Sequence, residues 1–224
     1  YNRAIYYKTL SKEHQEIIKK TEDEPSLLEL IEKWLERLPY LNFEGFNFLE
    51  NYKKAVEEML QSDQEIINNN HSLTNEEKET QLKMLNTTSE NFSALFNEEK
   101  HNALIKNGLR NLSYKATLSS LFINLYRDYP ILHLPFRLLT YLVDIDELFS
   151  TWRYRHSMMV HRMIGTKIGT GGSSGYNYLK ATIESHKIFT DFFNLSTFLI
   201  PRSTLPVIPD NIKKQLGFYK DSIK

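Results

Sequence analysis

Residues 149–163 carry apolar side chains at helical spacing, and the glycine- and hydroxyl-rich stretch 165–175 then breaks that pattern. A helix advances about 100° per residue, so Phe149, Trp152, His156, Met159, Val160 and Met163 share one face. His156 lies near the middle of this face, whereas His161 points roughly 140° away from it. Gly165, Gly169, Gly171, Gly172 and Gly175, with Thr166, Thr170, Ser173 and Ser174 among them, are too rich in helix breakers to continue the helix. Such a loop exposes backbone N–H groups and hydroxyls, a nest suited to carboxylates and other anions. It lacks the Gly-Lys-Ser/Thr end of a P-loop. A helix rather than a strand precedes it, which argues against a dinucleotide fingerprint.

His156 has two readings from residues alone. It is a core histidine satisfied by a carbonyl, or a neutral imidazole offered from an apolar face to a buried haem iron. Cysteine is absent, which removes disulfides, zinc–thiolate sites, iron–sulfur clusters and thiolate-ligated haem together. A haem here would take a His, Met or Tyr ligand. The 28 Lys and Arg residues balance 28 Asp and Glu, so no net field favours nucleic acid or an anionic membrane. The most apolar region, 131–145, is interrupted by His133, Pro135, Arg137 and Asp144 and is too short to span a bilayer.

Glycine and proline are scarce, and helical periodicity dominates the rest of the 224 residues. The spacing predicts an all-α, multi-helix single domain, with residues 1–24 as a polar connector and 25–224 as the helical core. Pro25 fits the first turn of a helix reaching about Leu38. Further helices are expected over 46–67, from Thr74 to about Phe96, over 97–107 and from Ser113 to before Pro130. Thr74 and Glu77 form a capping-box signature. Pro135 is expected to open the long helix to Ile164, and two more helices are expected near 176–184 and 186–195. Prolines should extend residues 199–209, and a short tail resumes at Asp210. No strand pair is expected. Asp144 and Asp146 lie about 160° apart on a helix, so a solvated or salt-bridged role is expected rather than a shared metal. Trp34 and Arg37 could form an aromatic–cationic ledge for a small ligand, or simply pack at the surface.

WRYRH (152–156), MVHRMIGTKIGTGGSSGYNYL (159–179) and FFNLSTFLIPR (192–202) together resemble the carboxy-terminal core of the tryptophan 2,3-dioxygenase family. The resemblance extends through LLELIEKWLERLP, GFNF, LSYKA and LLTYLVDIDELFSTW, with residues 60–100 the least family-like. It implies a haem b enzyme that inserts both atoms of O₂ across the indole C2–C3 bond of L-tryptophan. The product is N-formylkynurenine, at the first step of the kynurenine pathway. By the same resemblance His156 is the axial ligand of the haem iron, and Trp152 and Tyr178 are haem-side neighbours. Thr170, flanked by Gly169 and Gly171, binds the amino group of the substrate. A hydroxyl both donates and accepts, and the glycines let the backbone approach closely. His161 receives no catalytic role.

The family's distal histidine, its Phe-rich pocket and its carboxylate-pairing arginine belong to an amino-terminal segment with no counterpart before Tyr1. No catalytic residue is therefore assigned within this chain. His14, set in SKEHQE, is a poor substitute. The expectation is a half-site, with the amino-terminal segment supplied by the same protein or as a separate chain. A cytoplasmic homotetramer is implied as well. Two other classes remain: a non-catalytic helical haem-binding protein of the same fold, and an anion-binding module using residues 165–175.

Overall fold

The computed structural model describes residues 7–8, 10–22, 24–39, 41–43, 45–165 and 187–215. Helices dominate them: α1 (Lys12–Glu22), α2 (Leu27–Glu36), α3 (Phe48–Asn69), α4 (Asn75–Leu95), α5 (Glu98–Lys106), α6 (Tyr114–Leu125), α7 (Pro130–Ile164), α8 (Thr190–Asn194) and α9 (Asp210–Gln215). The all-α class read from periodicity is therefore the observed one. The chain forms two compact units. One draws on Tyr1–Ile31 and Thr140–Thr190, the other on Glu32–Leu139 and Asp191–Lys224.

Local chemistry explains most helix starts. Thr74 accepts from the Glu77 amide while the Glu77 carboxylate accepts from the Thr74 amide, a complete capping box at the head of α4. These bonds hold the Glu77 carboxyl below its usual range, the backbone bond to Thr74 contributing most. Asn47, Asn97 and Ser113 cap α3, α5 and α6 with their side chains. Gly108 closes α5 from a left-handed backbone, φ 69°.

Several expectations need correction. Residues 12–22 of the polar connector form helix α1, although it buries none of its residues. Pro25 precedes α2 instead of entering its first turn. Ser26 takes the capping position and exchanges bonds with Glu29. Helix α7 begins at Pro130, five residues ahead of the predicted start, and runs through Pro135. Proline suits a first helical position. Pro135 denies a helical donor to the Ile131 carbonyl, but Ile131 is 40% exposed, so water can satisfy it. A minimal antiparallel ladder, unexpected from sequence, pairs β1 (Asn42–Phe43) with β2 (Phe46–Asn47). Gly45 at φ 82° makes its turn possible. The last long segment starts its helix at Thr190, not 186, and continues into a 3₁₀ turn at Leu195–Phe198. Another 3₁₀ turn, Arg202–Thr204, interrupts the proline-rich run expected to be extended.

The unit containing α3–α6 has an aromatic core. Phe48 stacks on Tyr52 at 5.4 Å and meets Phe122 edge-on at 5.1 Å, and Phe92 meets Phe198 at 5.8 Å. Helices α3 and α4 pack against each other, α5 packs on α4, and α6 on the Leu195–Phe198 turn. The buried Tyr52 hydroxyl donates to the Phe198 carbonyl, joining residues 146 positions apart. Burial pushes the Tyr52 phenol well above its ordinary range, so it remains a donor at any physiological pH. In the other unit, buried positions among the described residues are few: Ile31, Leu142, Asp146, Ser157 and Phe189.

Tyr52→Phe should cost about 1–2 kcal/mol of unfolding free energy, because it strands the buried Phe198 carbonyl without its donor. Urea denaturation of the two proteins checks this, and an unchanged midpoint would show that the hydroxyl is dispensable.

Candidate functional site

Helix α7 carries the candidate site on one face. Ile145, Leu148, Phe149 and Trp152 stand at successive helical-neighbour spacings and line an apolar groove of about 390 Å³. His156 continues this face one turn further on. Its ring lies parallel to the Trp152 indole, with centroids 5.2 Å apart and planes inclined by 5°. The imidazole is half-buried, and among the described residues it makes no hydrogen bond. The carbonyl-satisfied core histidine considered from sequence is therefore not what the described residues form at His156. That arrangement occurs instead at His101, which is buried with Nε2 2.9 Å from the Leu112 carbonyl oxygen.

The apolar stripe is exposed rather than packed. Trp152 is 59% exposed and Met163 75%, and Phe149 and Met159 are each about half exposed. Arg153 places its guanidinium over the Phe149 ring at 5.8 Å. A second concavity of about 560 Å³, lined by Tyr154, Arg155, Met158, Met159, Arg162 and Met163, occupies the following turns. His161 is exposed, away from the His156 face, as helical geometry requires. The helix closes at Gly165, whose φ of 60° is a left-handed cap and whose N–H donates to the His161 carbonyl at 2.9 Å.

Gly169, Thr170, Gly171 and Tyr178 lie outside the described residues, as does the helix expected over 176–184. Trp34 is half-buried, while Arg37 is exposed and donates from Nε to the Lys33 carbonyl at 3.1 Å. No cation–π contact joins these two among the described residues. His14 is exposed on α1.

Asp146 departs from its expected solvated or salt-bridged role. It is 7% exposed and accepts the backbone N–H groups of Ile188 at 3.0 Å and Phe189 at 2.5 Å. No local pattern could have revealed this, since its partners lie 42 and 43 residues downstream.

No group of three or more His, Cys, Asp or Glu that could hold a metal occurs among the described residues. A haem needs a single axial side chain and an apolar surround, and His156, stacked on Trp152, could serve as such a donor.

The family model for tryptophan 2,3-dioxygenase matches residues 1–199. The chain belongs to the tryptophan 2,3-dioxygenase family. It is 48% identical to tryptophan 2,3-dioxygenase of Alteromonas mediterranea over 219 residues, covering 98% of this chain and 60% of that protein. Identity to the Bdellovibrio bacteriovorus protein of the same name is 49%, over 98% of this chain and 61% of the relative. The Dictyostelium discoideum tryptophan 2,3-dioxygenase is 44% identical over 97% of this chain and 55% of its own length. The chain thus spans somewhat over half the length of these relatives. No described helix is long and apolar enough to cross a membrane.

If the stripe is a ligand-facing surface and not core, its side chains should matter little to folding of this chain. Trp152→Ala is expected to cost less than about 1 kcal/mol in chemical denaturation. Phe122→Ala, in the fully buried aromatic core, should cost about 3–5 kcal/mol. Equal losses would place Trp152 in a packed core.

Proposed function

We propose that the whole protein catalyses haem-dependent oxidation of L-tryptophan by O₂ to N-formylkynurenine, and that this chain contributes the iron ligand and the substrate amino-group loop. The observation that carries this reading is the half-buried His156 ring. It is stacked on Trp152, without a hydrogen bond among the described residues, and the glycine- and hydroxyl-rich stretch 165–175 follows it in the sequence. Family membership supplies the chemical context.

Bound ferrous haem b would supply the activation of O₂. The protein's part is binding, orientation and exclusion of water. His156 would hold the iron through a ring nitrogen. Trp152, packed parallel against it, would limit rotation of the imidazole and supply apolar surface beside the haem. Tyr178 is assigned to the haem side on its motif alone. Thr170 is assigned to the substrate amino group, where its hydroxyl can donate and accept at once. Gly169 and Gly171 leave room for the backbone to approach the ligand. The distal groups are assigned to the part of the relatives that this chain does not span, within the same polypeptide or as a second one. Residues 25–224 are then the carboxy-terminal part of one helical haem dioxygenase domain, with 1–24 as a connector. A cytoplasmic homotetramer completes the proposal, and sedimentation of the whole protein as a monomer would contradict that last part.

The deciding assay supplies the whole protein with ferrous haem, L-tryptophan and O₂ and looks for N-formylkynurenine. Haem binding without product would favour a non-catalytic haem protein of the same fold. Phosphate binding without any Soret absorption would favour an anion-binding module instead. His156→Ala should abolish the ligated Soret spectrum while His161→Ala largely spares it, and equal loss in both would mean that the wrong helical face was chosen. Thr170→Ala should weaken tryptophan binding by roughly 1–3 kcal/mol with haem content intact; an unchanged Kd removes Thr170 from the site.

A further inference from the structure

Helices α3 and α4 pack against each other across a short connection, residues 70–74, and the two ends of this hairpin differ. At its base Tyr52, Ala55, Val56, Phe92 and Leu95 are buried, whereas none of residues 57–91 is. Apolar side chains nonetheless recur at helical-neighbour spacing on both helices of this outer part. Met59, Leu60, Ile66, Ile67, Met84 and Leu85 line a groove of about 350 Å³ there. Ile66 is 62% exposed and Met84 65%. The groove between two packed helices accepts a third, which fills it with apolar side chains at i, i+3, i+4 and i+7. Unbranched methionines on the wall adapt to the shape of what enters.

Charge selects the occupant. Residues 57–91 hold eight Asp and Glu against two Lys, in a chain whose net charge is zero. Both lysines are engaged within the hairpin, Lys83 with Glu79 at 2.8 Å and Lys78 with the Asn68 carbonyl at 2.8 Å. Asp63 stands in the groove wall and forms no ion pair among the described residues. Glu65, next to Ile66, likewise has no cationic partner among them and accepts from Gln61 at 3.3 Å. An acidic helix would meet like charge along this rim, whereas a basic one meets its complement. We propose that this groove docks a basic amphipathic helix of a partner protein. The helix buries its apolar face against Ile66 and Met84, and its Lys or Arg side chains pair with Asp63 and Glu65. None of these residues belongs to the proposed haem site.

The probe is a labelled helical peptide of about fourteen residues, long enough to span the outer part of α3, with leucine on one face and lysine on the other. Fluorescence anisotropy with the whole protein should show saturable binding that weakens several-fold as NaCl rises from about 50 to 300 mM. The same peptide with glutamate for lysine, and a scrambled one of unchanged composition, should each bind at least about tenfold more weakly. Bound peptide should also slow hydrogen exchange in residues 60–67 and 81–88 of the unsubstituted protein, a readout that requires no variant to fold. Absence of binding, equal affinity for the glutamate or scrambled peptide, or protection confined to other segments would each overturn the proposal.

Substitutions separate the groove from a generally sticky acidic surface. Met84→Lys should raise the peptide Kd by about tenfold, since it places a charge in the groove and repels the lysine face. Asp63→Asn with Glu65→Gln should raise it about threefold and flatten its salt dependence. Leu109→Lys is the matched control: Leu109 is 66% exposed in the same unit, outside the groove, and its substitution should leave the Kd within about twofold. Equal weakening by Leu109→Lys and Met84→Lys would end the proposal. If Met84→Lys instead lowers the sedimentation coefficient of the peptide-free protein, the groove is an interface between copies of the chain, and the partner helix is ruled out.

Discussion

A buried amide must find an acceptor, and at three irregular segments this chain supplies it from a carboxylate distant in sequence. Asp191 takes the amides of Asn111 and Leu112 at 2.7 and 2.8 Å, fixing the loop that feeds α6. Glu32 takes the Ser113 amide and Glu36 its hydroxyl, each at 2.6 Å, so α2 and the head of α6 are joined through one capping residue. Asp146 does the same for residues 188 and 189 within its own unit. Negative charge at such positions also complements the positive ends of helices. Without these bonds the helices would still form, but the segments between them would carry unpaired amides into low-dielectric surroundings.

The two units use apolar surface differently. Around α3, α4 and α6, aromatic rings interlock and the largest side chains are wholly buried. Along α7 beyond residue 140, large apolar side chains stand out instead, Leu148 at 69% and Trp152 at 59% exposure. An exposed apolar stripe of this extent marks a surface for a ligand or partner rather than a finished core. The proposed haem site falls on it.

How far the sequence could be read depends on whether the relevant interaction is local. The heads of α4, α5 and α6 were legible because Thr74 with Glu77, Asn97 and Ser113 act within one turn of themselves. The separation of His156 from His161 was legible for the same reason, being a matter of helical phase. Helix α1 was missed because its eleven residues bury nothing and so show no core-facing face. The start of α7 was misplaced because two prolines compete for one role, and sequence did not show that Ile131 would face water. The β1–β2 ladder was too short, at two residues a strand, to show alternation.

The sequence by itself determined the all-α class, most helix boundaries, the family and the face on which His156 stands. Each of these is written in periodicity, caps or contiguous motifs. Only the tertiary structure decided what Asp146, Asp191 and Tyr52 do, because their partners lie 42 to 146 positions away in the chain. It also decided that the apolar stripe of α7 faces outward while that of α6 is buried. Amphipathicity specifies that a helix has an apolar face; what that face meets is set by elements distant in sequence.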